Sequence, residues 1–340
     1  PSVLGEVVMI AYGSARRKDV VGAFSTISGN EFENRSGTTP AELMQGYSPG
    51  VQVIRRNGTP GIQVHVMIRG SASFTSLEPL YIIDGIRSEG EVFNSINPQD
   101  IENITILKDA SSTAIYGANG ANGVVIITTK KGRPGKALIS VASQWGIATP
   151  PKKYKLLNAS EYLELAKEFQ NPLPPDFRGT TTNGADWQDE IFRNALLSTN
   201  HVSISGGGEK MTYNISSGYF DEESVLRDFR YRSANLRIAL QETTGRFKFG
   251  QNINFQYKHQ TGTNDYGHSN STIRDALGMP PYLNVKDASG NFTGPNELDL
   301  LTDDSPIFNP LARFDAQDNV ARNFTLNPQF FAEVRILKSL

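Results

Sequence analysis

In several stretches beyond Lys136 apolar residues recur at every second position, which marks those stretches as β-strands with two unlike faces, joined by connections of alternating length. Lys136 to Ile147 is the first such strand. Val202 to Gly206, a tight turn through Lys210, and Met211 to Phe220 read as a hairpin in which Tyr213, Ile215 and Ser217 share a face. Asn235 to Glu242 aligns Leu236, Ile238 and Leu240. A turn at Thr243-Thr244-Gly245 leads to Phe247, Phe249, Ile253, Phe255 and Tyr257. Asn323 to Leu337 aligns Leu326, Phe330, Ala332, Val334 and Ile336. The connections read long, short, long, short, long, an alternation that suits a transmembrane barrel with short turns on one side and long loops on the other.

At 340 residues the chain is long enough for two domains and a sizeable core. A net charge of −2 gives no basic footprint for nucleic acid. The absence of cysteine excludes disulfide scaffolds and thiolate metal sites. No run approaches the roughly 18 apolar residues of a membrane helix, whereas barrel strands need only about 9–11 alternating residues. No signal peptide is visible at Pro1, and the expectation is a processed or truncated N-terminus.

Ahead of the strands, Pro79 to Gly132 reads as a compact α+β unit. Leu80 to Ile83 is a short apolar strand ended by Asp84-Gly85, and Ile101, Ile104 and Ile106 lie on a second. Asp109 is placed to cap a helix from Ala110 to Tyr116, ended by Gly117. Gly120 and Gly123 are expected to supply positive φ before a buried strand at Val124 to Ile127. Thr39-Pro40 starts a short helix, and Val51 to Ile54 and Ile62 to Ile68 read as a strand pair about Asn57-Gly58. Gly132-Arg133-Pro134-Gly135 breaks the composition. The expected division is therefore an N-terminal segment at 1–20, the α+β domain at 21–133 and barrel strands at 134–340.

Three passages, PLYIIDG, INPQDIENITILKDASSTAIYG and GANGVVIITTKKG, resemble the plug-domain signatures of TonB-dependent outer-membrane transporters, specifically the SusC/RagA-like nutrient importers. The segment from Asp186 to Arg193, His201 to Gly207, and Ser217 to Ser224 ahead of Arg230 to Arg237 are similar to the family as well. The resemblance implies an α+β plug followed by antiparallel transmembrane strands, the N-terminal part of a barrel of about 22 strands. The six strands legible here would leave two open edges in lipid, so the chain is expected to be part of a longer polypeptide.

The resemblance also implies a function: active import of an oligosaccharide or peptide across the outer membrane of a Gram-negative bacterium, with the plug and N-terminus toward the periplasm. The implied partners are TonB with its inner-membrane energising complex, a SusD-like surface lipoprotein, the substrate and outer-membrane lipid. Glu6, Val7, Val8, Met9 and Ile10 resemble the TonB-proximal segment, and an exposed strand there would suit β-augmentation. Arg69, Gly70, Asp84, Gly85, Lys108, Asp109, Tyr116, Gly117, Gly120 and Gly123 match plug-signature positions, with Arg69 read as a structural salt-bridging arginine. His65-Val66-Met67 departs from the family's alternation. Phe74, Thr75, Arg87, Glu89 and Phe93 sit in loops that in the family can face substrate; solvated loops are the plainer reading for each. A non-transporting receptor, adhesion or signalling module of the same architecture is the alternative.

No catalytic centre or cofactor is legible. The four histidines show no paired ligand spacing, and there is no Gly-x-Ser-x-Gly elbow. Gly117-x-x-Gly120-x-x-Gly123 lacks the Gly-Lys-Ser/Thr ending of a phosphate loop and leads into a strand. Asp299, Asp303 and Asp304, with Asp315 and Asp318 beyond, offer oxygens to calcium, but no complete ligand loop is present and a solvated acidic loop is preferred.

Overall fold

The computed structural model describes residues 7–10, 13–16, 24–32, 39–55, 58–62, 64–70, 78–150, 152–169, 184–262, 271–295, 307–316 and 318–336. Glu6, Phe74, Thr75, Asp299, Asp303 and Asp304 lie outside them.

The chain opens with β1 (Val7–Ile10) and β2 (Gly13–Arg16), which pair antiparallel as a hairpin. Next come β3 (Phe24–Ser28) and α1 (Pro40–Leu43), whose first turn is capped by the Thr39 hydroxyl accepting from Glu42 N at 3.3 Å. The strands β4 (Val51–Arg55) and β5 (Val64–Ile68) pair antiparallel, Val53 opposite Val66. Then follow β6 (Leu80–Ile83), β7 (Ile86–Ser88), α2 (Gly90–Ser95), β8 (Ile101–Leu107), α3 (Ala110–Thr113) and β9 (Val124–Thr129).

Five of these strands make one sheet in the order β3-β8-β9-β6-β7. Only the β6–β9 pair is parallel. Both faces of its centre are covered. Tyr81, Ile83, Val125 and Ile127 join Phe93, Met44, Val66 and Ile104 on one side. Leu80, Ile82, Val124 and Ile126 pack with Phe24 and Tyr116 on the other. Burial on two faces is why β6 and β9 read as unbroken apolar runs.

Three local readings change. The segment from Arg87 to Asn97, read as a polar loop, contains β7 and α2. Phe93 is fully buried and stacks on Tyr81 at 4.9 Å between ring centroids, so it belongs to the core and faces no substrate. Asp109 stands at the N-cap of α3, but only its carbonyl serves the helix, accepting from Ser112 N and Thr113 N; the carboxylate is drawn to Arg69 instead. Positive φ falls on Gly117 (59°) and Gly123 (91°), not on Gly120. Gly120 is required by close packing, since a Cβ there would lie 3.0 Å from Thr113 O.

The wall begins at β10 (Gly135–Ala148). After it come α4 (Ala159–Phe169), α5 (Trp187–Ile191), β11 (Ala195–Gly207), β12 (Met211–Glu223), β13 (Arg230–Thr244), β14 (Phe247–Thr261), α6 (Thr272–Gly278), α7 (Pro310–Ala316) and β15 (Val320–Val334). The six long strands form one antiparallel sheet in chain order.

Register fixes which residues share a face. The row Val141, Val202, Ser217, Leu236, Phe255, Leu326 points outward, and the row Ser140, Ser203, Ser216, Arg237, Asn254, Asn327 points to the plug. Ile139, Val141, Trp145 and Ile147 are more than 60% exposed on the outer face, while Asn214, Arg237, Asn254 and Gln329 are buried on the inner one. Apolar outside and polar inside is the alternation of a membrane barrel.

The third connection is shorter than the sequence suggests. It spans only residues 224–229, because Asp221–Glu223 and Arg230–Ser233 continue the ladder. Those charged stretches look like loop, yet Arg230 opposite Glu223 and Arg232 opposite Asp221 neutralise each other across the strands. The long connections 149–194 and 262–319 pack α4, α5 and α6 together around Leu163, Trp187, Ile191, Met279 and Tyr282. Two capping arrangements set the helix starts there: Asn158 with Glu161 is a reciprocal capping box, and Asp186 accepts from Gln188 N and Asp189 N.

Candidate functional site

The residues that tie the plug to the wall form one buried polar seam. Its first centre is Asp100, in the turn before β8. This carboxylate is buried and its Oδ1 lies 3.1 Å from His201 Nε2 on β11. Burial pushes the Asp100 pKa up, but the His201 hydrogen bond, the Arg237 charge and the nearby Ser216 hydroxyl outweigh it and hold the carboxyl below its ordinary value. His201, Ser216 and Arg237 come from three successive wall strands, β11, β12 and β13.

Arg237 carries the seam onward. Its Nη1 donates to Lys130 O at 2.9 Å and Asn214 Oδ1 at 3.3 Å, and Nη2 donates to Thr129 Oγ1 at 2.5 Å. Thr129 in turn donates its N–H and hydroxyl to the two oxygens of Asp84, at 3.0 and 2.5 Å. Asp84 Oδ2 also accepts from Asn252 Nδ2 on β14 at 2.8 Å. Asp84 has φ 50° and Gly85 φ 88°, as a two-residue type I′ hairpin between β6 and β7 requires, and this turn delivers the carboxylate to the wall. Beside the network, Asn254 Nδ2 donates to Ser95 Oγ at 3.2 Å and Asn97 Nδ2 to Asn235 Oδ1 at 3.3 Å.

The backbones approach as closely as the side chains. A Cβ on Gly132 would stand 2.3 Å from Tyr213 O, and one on Gly61 2.2 Å from the Tyr231 ring. The plug and wall are therefore fitted surfaces joined by charge-assisted hydrogen bonds. Breaking one partner of a buried pair leaves an uncompensated charge, which costs about 3–5 kcal/mol. Such a seam can act as a two-position tie: engaged, or released together.

The residues singled out from sequence fall into separate places. Val7–Ile10 is not a bare strand, since β2 fills one of its edges. Arg69, with φ 53°, follows β5 and pairs with Asp109, while Lys108 Nζ donates to Pro49 O at 2.8 Å. Partial burial and the adjacent Arg69 charge lower the Lys108 pKa, with Asp109 opposing them. These three therefore brace the plug internally. Gly70 follows Arg69 at φ 93°. Arg87 and Glu89 are exposed, on β7 and at the start of α2. Gly123 brings β9 against Ile68, whose Cδ1 would be 2.8 Å from an added Cβ. Asp315 and Asp318 are exposed, and among the described residues no group of three or more acidic or histidine side chains is placed to hold a metal ion.

Of the seam, sequence reading singled out only Asp84. Asp100, His201, Ser216, Arg237 and Asn252 were missed, although the alternation held a signal. Leu236 and Ile238 point outward, which turns the intervening Arg237 inward, and Val202 does the same for His201.

Residues 16–124 match the model of the TonB-dependent receptor plug domain. The chain is 33% identical to the TonB-dependent receptor SusC of Bacteroides thetaiotaomicron over 94% of its own length and 34% of that receptor's. It is 34% identical to the TonB-dependent receptor P26 of Formosa agariphila, over 94% of this chain and 32% of that one. The chain thus spans about a third of the length of these curated relatives. In fold it is similar to the RagAB peptide importer in its open-open state, with a TM-score of 0.83 at 25% identity, covering 98% of this chain and 41% of that one. Plug, sequence and fold agree: the chain belongs to the SusC/RagA-like family of TonB-dependent receptors and comprises the plug and the first strands of the barrel wall.

Proposed function

We propose that the whole protein imports a nutrient, an oligosaccharide or a peptide, across the outer membrane, with the plug gating a large barrel. The observation that carries this reading is the buried seam from Asp100 through Arg237 to Asp84, which joins a separate α+β domain to a wall that is polar inside and apolar outside. The RagAB protein, similar in fold, is a peptide importer, which supports the transport reading and one of the two substrate classes.

In this reading the end of the wall where Gly132–Gly135 leaves the plug faces the periplasm, and the connections carrying α4 to α7 face outward. Substrate bound on the outer side shifts the plug only if it has higher affinity for one plug arrangement, because equal affinity moves no equilibrium. TonB, driven through the inner-membrane complex, captures β1 by strand addition, a route favoured by the edge of β1 opposite β2, which pairs with no strand among the described residues. Pulling on β1 then breaks the seam. A SusD-like surface lipoprotein closes the outer side over the substrate.

The test is uptake by cells making the full-length protein with residues 6–12 deleted. Loss of labelled oligosaccharide or oligopeptide uptake at an unchanged outer-membrane level is expected. Unchanged uptake removes TonB capture from this segment. Substrate binding by the intact protein without any uptake would turn the assignment to a non-transporting receptor.

A further inference from the structure

Three basic side chains stand directly opposite one another on the outer face of the wall, on neighbouring strands: Arg232 on β13, His259 on β14 and Arg322 on β15. The two arginines flank an imidazole that can donate a hydrogen bond, so the row favours an anion that bridges them. Among the described residues little negative charge stands near enough for that. Asp221 is held bidentately by Arg230, at 2.7 Å from Nε and 2.6 Å from Nη2, and its Oδ2 is 3.7 Å from Arg232 Nε, which makes no hydrogen bond. Glu223 is 3.8 Å from Arg230 Nη1. Arg230 and Arg232 thus balance these two carboxylates, and Arg322 has no ion-pair partner among the described residues. The unbalanced positive charge lies at Arg322, with the His259 imidazole between it and Arg232.

Position identifies what would neutralise it. The next outward row along the same strands is Tyr219, Ala234, Tyr257 and Phe324, and beyond it lie Leu236, Phe255 and Leu326. Aromatic residues bordering an apolar band mark the membrane–water boundary of a barrel. Tyr257 stacks on His259 at 6.5 Å between centroids. A groove of about 280 Å3 opens among Tyr219, Arg232, Tyr257, His259 and Arg322, below the roughly 300–1,000 Å3 of a pocket for a drug-sized ligand. Arginine forks match phosphate oxygens in geometry as well as charge.

We propose that this groove binds the phosphate of a lipid headgroup, with Arg232 and Arg322 on the phosphate oxygens, His259 donating between them, and Tyr219 and Tyr257 flanking the start of the acyl region. The proposal rests on the wall being membrane-embedded, not on what the protein transports. The row lies at the end of the strands opposite Gly132–Gly135, so in the orientation proposed above the lipid belongs to the outer leaflet.

The full-length protein, extracted in detergent, is titrated with dioleoyl phosphatidic acid in phosphatidylcholine micelles, and bound lipid is counted by native mass spectrometry. Wild type is expected to retain one phosphatidic acid more than the R232Q/R322Q variant. Affinity should fall about fivefold for each arginine replaced and about 25-fold for both. The charge-preserving R232K/R322K variant guards against misfolding and should keep most of the binding. Equal retention by wild type and R232Q/R322Q overturns the proposal, as does loss of the extra lipid in millimolar inorganic phosphate, which would make the groove a site for free anions. Wild-type protein that fails to enter bilayers at all would refute the membrane-wall reading and this site with it. Bilayer insertion without arginine-dependent binding would refute only the site.

Discussion

Asp100 is a plug carboxylate whose neighbours come mainly from the wall. Its pKa is depressed, so the stabilisation it supplies is fully present above the unfolded carboxylate value of about 3.9 and is lost as pH falls through the lower folded value. In chemical denaturation the stability difference between wild type and Asp100→Asn should therefore be present at pH 5 to 7 and shrink progressively as the pH falls below about 3.9. A difference that already shrinks between pH 7 and 5 would contradict a depressed Asp100. Arg237→Met should release the same seam from the other side. Because it removes the guanidinium charge beside Asp100 and the donors to Thr129, Lys130 and Asn214, a loss of about 3–5 kcal/mol is expected. Hydrogen exchange should speed up at 98–107 and 129–132 while the amides of β13 and β14 stay protected.

Among the elements, the plug sheet depends on α2 more than its polar sequence suggests. Phe93 fills the space over Tyr81 between α2 and the sheet, so Phe93→Ala should cost about 3–5 kcal/mol, read as a lower denaturation midpoint of the plug. Had Phe93 been a substrate contact, the same change would alter uptake with little effect on stability. Gly123→Ala combines a φ of 91° with a Cβ only 2.8 Å from Ile68 Cδ1. Its loss should exceed the ~1 kcal/mol typical of an unfavourable backbone conformation alone, and truncating Ile68 to Val should recover part of it. The starts of α1 and α3 and a turn at Asp84-Gly85 were legible because capping and turn chemistry are local, whereas α2 was not, because its residues read as a polar loop. The true ends of β12 and β13 were not, because cross-strand pairing of Arg230 with Glu223 holds residues that look like loop in the ladder.

For the whole molecule, the two faces of the wall make opposite demands. Ile238→Arg places a charge on the outer apolar face and should cost about 2–4 kcal/mol near the middle of the bilayer, measured by reversible unfolding of the full-length protein from vesicles. Ile238 neighbours Arg237, which is required on the inner face, so one residue of offset reverses the sign of the same chemistry. Alternation along the strands, the composition break at Gly132–Gly135 and the plug signatures are properties of consecutive residues, and they suffice for the architecture and the family. Which plug carboxylate meets which wall strand is a different kind of fact. Asp100 and His201 are 101 positions apart, and Asp84 and Asn252 168. Their meeting depends on the register of four strands and on the angle at which the sheet sits against them. No local propensity encodes that angle: it follows from packing Gly132 on Tyr213 and Gly61 on Tyr231, and with it the seam through which the plug is held.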